Sequence, residues 1–143
     1  MKTKYTILLI GRGRLAKHLK FAWRDLNLIL WDKSQSTEEL HYKLKTADVV
    51  ALAISDSAIE SFYKDCRGFT PRDCLWVHFS GALNVDGIVD IHPLMTFGPE
   101  IYNDEVYAQI PYVSASIKSW PDRLPLNNFL YNIDPSNKAK YHA

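Results

Sequence analysis

Apolar runs alternate with polar stretches of helical spacing along most of this chain. The first run, Tyr5-Thr6-Ile7-Leu8-Leu9-Ile10, carries no charge, the pattern of a parallel strand buried on both faces. Past it, Leu15, Leu19, Ala22 and Trp23 fall at i, i+4, i+7 and i+8 and would share one helix face. A second strand is predicted over Asn27–Trp31. Ser36-Thr37-Glu38-Glu39 has the S-x-x-E form of a capping box and opens a helix through about Lys45. Ala47–Ile54 reads as a third strand. Ser57-Ala58-Ile59-Glu60 repeats the capping pattern, and Ile59, Phe62, Tyr63 and Cys66 line the helix face that follows. Pro71-Arg72-Asp73 breaks the chain before a fourth strand over Cys74–Phe79. Val85–Ile91 leads into a fifth, stopped at His92-Pro93, because a residue before proline avoids helical geometry. Beyond Phe97 the regularity fades. Gln109–Ala115 and Phe129–Ile133 are weaker strand candidates, and the last residues look like the opening of a helix.

Strand and helix in alternation predict an α/β domain with a mainly parallel sheet. The turn between the first strand and the first helix adds chemistry. Gly11-Arg12-Gly13-Arg14-Leu15-Ala16 has G-x-G-x-x-A spacing. Gly11 would allow a tight turn, Gly13 a close approach of phosphates to the backbone, and Ala16 close helix–strand packing. The free N–H groups at the helix start then face an anion. The whole stretch is expected to bind cofactor: Gly11, Arg12, Gly13, Arg14, Leu15 and Ala16. Arg12 and Arg14 would reach phosphate oxygens, or else be solvated loop side chains. The sheet is therefore expected to be doubly wound, of the Rossmann type.

Asp32 ends the second strand 21 residues after Gly11, where a carboxylate can accept both ribose hydroxyls. It would repel a 2′-phosphate, so NAD is expected before NADP. Lys33, Ser34 and Ser36 would accept a phosphate if Asp32 turned away. An ordinary exposed turn aspartate is the plain alternative.

Size and charge narrow the classes. At 143 residues the chain predicts a single domain, and 17 basic against 16 acidic residues give a net charge of +1. No strong field draws it to nucleic acid or to an anionic membrane. Its two cysteines, Cys66 and Cys74, show neither metal spacing nor a disulfide framework, as expected of reduced thiols in a cytoplasmic protein. No apolar stretch is long enough to span a membrane.

Other candidates sit at predicted strand ends, which face the ligand in doubly wound sheets. Ser55 follows the third strand and would line the cofactor cleft, with Ser57 as a helix cap. His78-Phe79-Ser80-Gly81 ends the fourth strand and His92-Pro93-Leu94-Met95-Thr96-Phe97 the fifth. His78, Ser80 and His92 are the catalytic candidates, since an imidazole can move a proton during carbonyl reduction or alcohol oxidation. Ser80 is also a candidate cofactor contact. Each histidine has a bland alternative, a buried ring hydrogen-bonded to backbone. Ser80 lacks the G-x-S-x-G elbow of a hydrolase serine. No metal site is expected.

The glycine loop, Ala-Ile-Ser-Asp-Ser-Ala-Ile at 53–59, Val-His-Phe-Ser-Gly-Ala-Leu at 77–83 and His-Pro-Leu-Met-Thr-Phe at 92–97 together resemble a bacterial Rossmann-like family. That family is related to the pyrroline-5-carboxylate reductases, ketopantoate reductases and prephenate dehydrogenases. The resemblance implies an NAD(P)-binding N-terminal domain, with a helical C-terminal domain that mediates dimerisation and closes the substrate site. Members typically run from a Tyr-His-Ala segment into that domain, and this sequence ends at Tyr141-His142-Ala143. Residues 1–136 are thus expected to be the dinucleotide-binding domain and 137–143 the start of a truncated or absent helical one. By the same resemblance Gly11, Gly13, Ala16 and Ser55 contact cofactor, and Ser80 and His92 sit at the cleft edge. Asp32 departs from the Ser-Arg type pair that relatives often carry for NADP.

Two functions remain open at this point. One is an oxidoreductase domain that passes hydride to or from a small carbonyl, imine or hydroxyl compound, completed by a second domain, a homodimer mate or a partner chain. The other is a non-catalytic nucleotide-binding or sensing module acting through a protein partner. A Rossmann domain for another nucleotide, such as a sugar nucleotide, fits Asp32 less well.

Overall fold

A computed structural model describes residues 4–141 of the chain. Five parallel strands form the main sheet: β1 (Thr6–Ile10), β2 (Asn27–Trp31), β3 (Val49–Leu52), β4 (Leu75–His78) and β5 (Val89–Asp90). Their order is β2-β1-β3-β4-β5. Helix α1 (Arg14–Ala22) makes the crossover from β1 to β2, α2 (Thr37–Lys45) from β2 to β3, and α3 (Asp56–Cys66) from β3 to β4. Because the first crossover runs opposite to the next two, the helices cover both faces. Ala16 and Leu19 of α1, with Trp23 at its C-cap, pack with Ile7, Leu9, Val49 and Ala51 on one face. Leu40, Leu44, Ile59 and Cys66 pack with Leu8, Ile10, Val50 and Leu52 on the other. This is the doubly wound α/β sheet that the alternating pattern predicts.

Helix starts follow local chemistry. Ser36 caps α2, its hydroxyl accepting the Glu39 N–H at 3.1 Å, as the first capping box predicts. The second box is displaced. α3 begins at Asp56 with Ser55 as the N-cap, so Ser57 lies inside the helix rather than capping it.

The later chain departs more from the pattern. The predicted fifth strand shortens to Val89–Asp90, since Gly87 turns the chain with φ +91° against the Tyr63 side chain. His92-Pro93 does not merely stop a strand. It forms β6, antiparallel to β7 (Tyr112–Ser114), and β8 (Leu130–Asn132) pairs parallel to β7 in a second, three-stranded sheet. Gln109 belongs not to a strand but to helix α4 (Asp104–Gln109), capped by the Asn103 side chain on the Val106 N–H. The last described segment, Pro135–Tyr141, is a 3₁₀ helix, and residues 142 and 143 of the expected second-domain start lie outside the described residues. No helix among the described residues is long and apolar enough to cross a membrane.

One buried carboxylate ties the two sheets together. Asp90 accepts the Ser114 hydroxyl at 3.1 Å, the Ala115 N–H at 2.9 Å, the Ser116 N–H at 3.0 Å and the Ser116 hydroxyl. Lys138 Nζ adds an ion pair at 3.1 Å. Burial pushes the Asp90 carboxyl up, but these hydrogen bonds and the Lys138 charge outweigh it and hold the group below its ordinary range. Its contribution is therefore present above the unfolded carboxylate range and is lost as acid protonates the folded group. Asp90→Ala orphans a buried hydroxyl and backbone donors, and urea unfolding of this variant is expected to show a loss of at least about 2 kcal/mol.

Candidate functional site

The strand order reverses direction between β1 and β3, and a cavity of about 630 Å³ opens at their carboxyl ends. Such a switch point is where open α/β sheets leave a crevice for ligand. Gly11, Arg12, Gly13, Arg14, Leu15, Asp32, Lys33 and Ser55 line it, so eight of the sequence-predicted residues come together. Ile10, Trp31, Ala53, Ile54, Ala58 and Phe62 complete the walls. Trp31 and Phe62 read as core residues in the sequence. Their position next to Asp32, and two turns into α3, was the signal available for a wall role.

The two glycines of the loop have different reasons to be glycine. Gly11 has φ +137°, and a Cβ there would sit 2.2 Å from the Ala53 carbonyl oxygen and 3.3 Å from Ala16 Cβ. Its N–H donates to the Trp31 carbonyl at 3.0 Å, so the turn is fixed from both sides. Ala16 is buried behind this turn rather than on the cavity. Gly13 has an ordinary backbone, φ −81°, and a Cβ there would meet nothing within 4 Å. Nothing among the described residues requires glycine at 13; the space in front of it is open.

Two helices start at this cavity, α1 at Gly13 and α3 at Ser55, and neither has a side-chain cap. Their first N–H groups and positive dipole ends suit an anion. Arg12, Arg14 and Lys33 add positive charge, against one carboxylate, Asp32. Asp32 Oδ1 accepts the Ser34 N–H at 2.8 Å, while its own N–H donates to Gln35 Oε1 at 3.1 Å. The Ser34 hydrogen bonds hold its carboxyl below the ordinary range, and Arg12 and Lys43 add to that. Asp32 is thus both a turn residue and a cavity carboxylate.

His78, Ser80 and His92 do not line this cavity. His78 is fully buried at the end of β4. Its Nδ1 accepts the Ser80 N–H at 3.1 Å, so Nε2 carries the proton, and that N–H has no partner among the described residues. Burial, then the Lys138 charge, push the ring down to about 4. Ser80 is buried with its hydroxyl fully used: it donates to Asp56 Oδ2 at 2.9 Å and accepts the Ala82 and Leu83 N–H groups at 3.1 Å each. It binds the 80–83 turn to the start of α3. His92 is half-buried, and its Nδ1–H donates to the Phe79 carbonyl at 3.0 Å, which makes Nε2 the basic nitrogen. A separate cavity of about 370 Å³ lies by the carboxyl end of α1, lined by Trp23, Arg24, Asp104 and Leu126 among others, and holds none of the predicted residues. Burial pushes the thiols of Cys66 and Cys74 up to about 11 and about 12, and no group of metal-ligating side chains is found among the described residues.

These placements separate folding from binding at the loop. Gly11→Ala is expected to destabilise the fold strongly in thermal unfolding, because the new Cβ meets backbone at a strained φ. Gly13→Ala is expected to keep the wild-type unfolding temperature to within a few degrees. His78 is expected to titrate by NMR at about 4. Since that lies below the unfolded value, stability falls as pH drops from the ordinary histidine range towards it.

Among known proteins, no family model matches the chain, and no curated protein matches it by sequence. Solved structures do match in fold. A protein described as an NADP oxidoreductase from Bacteroides fragilis is 23% identical with a TM-score of 0.68, over 96% of this chain and 64% of that one. Pyrroline carboxylate reductase from Plasmodium falciparum with NADP bound is 13% identical with a TM-score of 0.67, over 94% and 59%. Prephenate dehydrogenase from Aquifex aeolicus, in complex with hydroxyphenyl propionate and NAD+, is 11% identical with a TM-score of 0.71, over 95% and 62%. The chain thus spans less than two-thirds of each of these structures. In fold, it is a Rossmann-like α/β domain.

Proposed function

We propose that this domain binds a nicotinamide dinucleotide, NAD(H) before NADP(H), as the nucleotide half of an oxidoreductase. The observation that carries the reading is the open space before Gly13, at a switch-point cavity where two uncapped helices begin. A pyrophosphate there would take the N–H groups at the start of α1, with Arg12 or Arg14 on its outer oxygens. Asp32 would accept a ribose hydroxyl on Oδ2 while Ser34 occupies Oδ1. Bound in this way, the nicotinamide would be the group that supplies or accepts hydride. The bonds at Ser80 and His78 argue that they support the 80–83 turn. His92, its ring fixed by Phe79, is the residue we assign to proton transfer with a small carbonyl, imine or hydroxyl substrate. The resemblance in the two histidine motifs, and structural neighbours carrying NADP or NAD+, support a nicotinamide dinucleotide as the ligand. A helical second domain, a second copy or a partner chain would supply the remaining walls, in a reducing, cytoplasmic setting.

A second reading rests on one feature. None of the three chemistry candidates lines the cavity. A module that binds or senses the dinucleotide and acts through a partner needs only the residues that do.

Titration with NADH and NADPH, followed by nicotinamide fluorescence, tests the proposal. Saturable NADH binding is expected, with NADPH weaker; no binding of either would sink it. Asp32→Ala should cut the preference for NADH about tenfold, the worth of a hydrogen bond to a charged group. Turnover on a panel of oxo-acids and imines separates the enzyme from the module.

A further inference from the structure

The cavity of about 370 Å³ at the carboxyl end of α1 shares no lining residue with the one at Gly13, and roughly 13 Å of helix separates them. Its walls come from the end of α1, from α4 with the start of β7, and from residues 125–128. Side chains tie these walls together. Arg24 donates to both Asp104 oxygens, at 2.9 and 2.7 Å, and joins α1 to α4. Asn128 Nδ2 donates to the Tyr107 and Ile110 carbonyls at 2.7 and 2.9 Å, and joins the last segment to α4. Two lining residues, Trp23 and Tyr112, are each only 4% exposed. Neither the Trp23 indole N–H nor the Tyr112 hydroxyl has a hydrogen-bond partner among the described residues. The only side-chain atom there that is both unpartnered and sealed from solvent is His78 Nε2. The indole N–H and the phenol therefore reach open space, and this cavity is the open space that both residues line. We propose that it is a second binding site, for a small uncharged aromatic compound carrying one hydrogen-bond-accepting oxygen, such as a phenol or an aryl amide.

The lining selects that class. Leu19, Trp23, Ile110 and Leu126 offer apolar wall to a ring. The volume is at the small end of ligand pockets, which run from roughly 300 to 1,000 Å³, so one ring is the fitting size. An indole N–H can only donate, so the ligand must bring an acceptor. Burial pushes the Tyr112 hydroxyl up, so it stays a neutral O–H that can give a second hydrogen bond to the same oxygen. An anion is disfavoured: Arg24 is already neutralised by Asp104, and Asp25 adds a further carboxylate to the lining. A cation would set like charge against the indole N–H and leave it unpaired. The site needs neither a dinucleotide nor a second domain, and it stands apart from the proposed function.

Titration of the full chain with phenol, toluene and benzoate, read on the indole N–H signals of the four tryptophans by NMR, tests it. Trp23→Phe identifies the Trp23 signal. Phenol is expected to move that signal saturably and to leave Trp31, in the other cavity, in place. Toluene lacks the oxygen and benzoate carries a charge, and each is expected to bind at least about fivefold more weakly, the worth of one hydrogen bond. Tyr112→Phe removes a hydroxyl that nothing in the described protein uses. It is expected to keep the wild-type unfolding temperature to within a few degrees, to weaken phenol about fivefold and to leave toluene unchanged. No saturable Trp23 shift with phenol at tens of millimolar overturns the proposal, as does a shift confined to Trp31. Equal affinity for the three probes, or phenol binding unchanged in Tyr112→Phe, overturns it too.

Discussion

The close pass of Gly11 over the Ala53 carbonyl is the contact on which the rest of this domain depends. At that point β1 hands the chain to α1 while hydrogen-bonded on both sides, to Trp31 through Gly11 and to Ala53 through Ile10. No side chain fits between, and the backbone is left-handed there. The turn fixes where α1 starts, and Ala16 fills the space behind it. The cavity exists because β1 and β3 diverge from this point, with their helices leaving on opposite faces. Packing thus consumes Gly11, and it leaves Gly13 facing open space at the cavity.

A second constraint is electrostatic and lies across the sheet. Asp90 gathers donors from β7 and from the final turn, and so welds the three-stranded sheet to the parallel one. Ser80 does a similar task nearby, joining the 80–83 turn to Asp56 at the start of α3. Both groups are buried and richly hydrogen-bonded, which makes them rigid supports and poor reactants. His18 acts likewise on the other face. Its ring bridges the Tyr107 hydroxyl and the Gly98 carbonyl, each at 2.7 Å, and so fixes the loop after the second histidine motif against α1. Much of the polar chemistry at strand ends here holds loops in place.

The chain through α3 was legible in the sequence because each element there is set locally. β1 and β3 are short apolar runs buried, and β2 one half-buried, by helices that their own neighbours encode. Ser36 caps α2 through a contact three residues away. The glycine loop and Asp32 converge on one cavity because a strand–turn–helix unit carries its geometry with it. The chain after Phe97 was harder to read, since its elements are short and defined by distant partners. Asn103 with Asp104 and Glu105 did signal α4, but six residues give too little periodicity to outweigh the apolar run that follows. β6 is two residues long and exists because β7 pairs with it.

The sequence by itself determined the parallel α/β order, the glycine turn and the carboxylate that faces it, because these depend on spacing within one strand–helix unit. Only the tertiary structure decided what the polar residues at the strand ends do. His78 and Ser80 stand in motifs that read as reactive. Burial leaves His78 neutral and turned inward, and three hydrogen bonds exhaust the Ser80 hydroxyl. Asp90 and Lys138 carry no motif, yet they meet across 48 residues of chain to close the far edge of the sheet. Whether a polar side chain serves chemistry or architecture is set by its neighbours in space, and those neighbours come from parts of the chain that no local pattern connects.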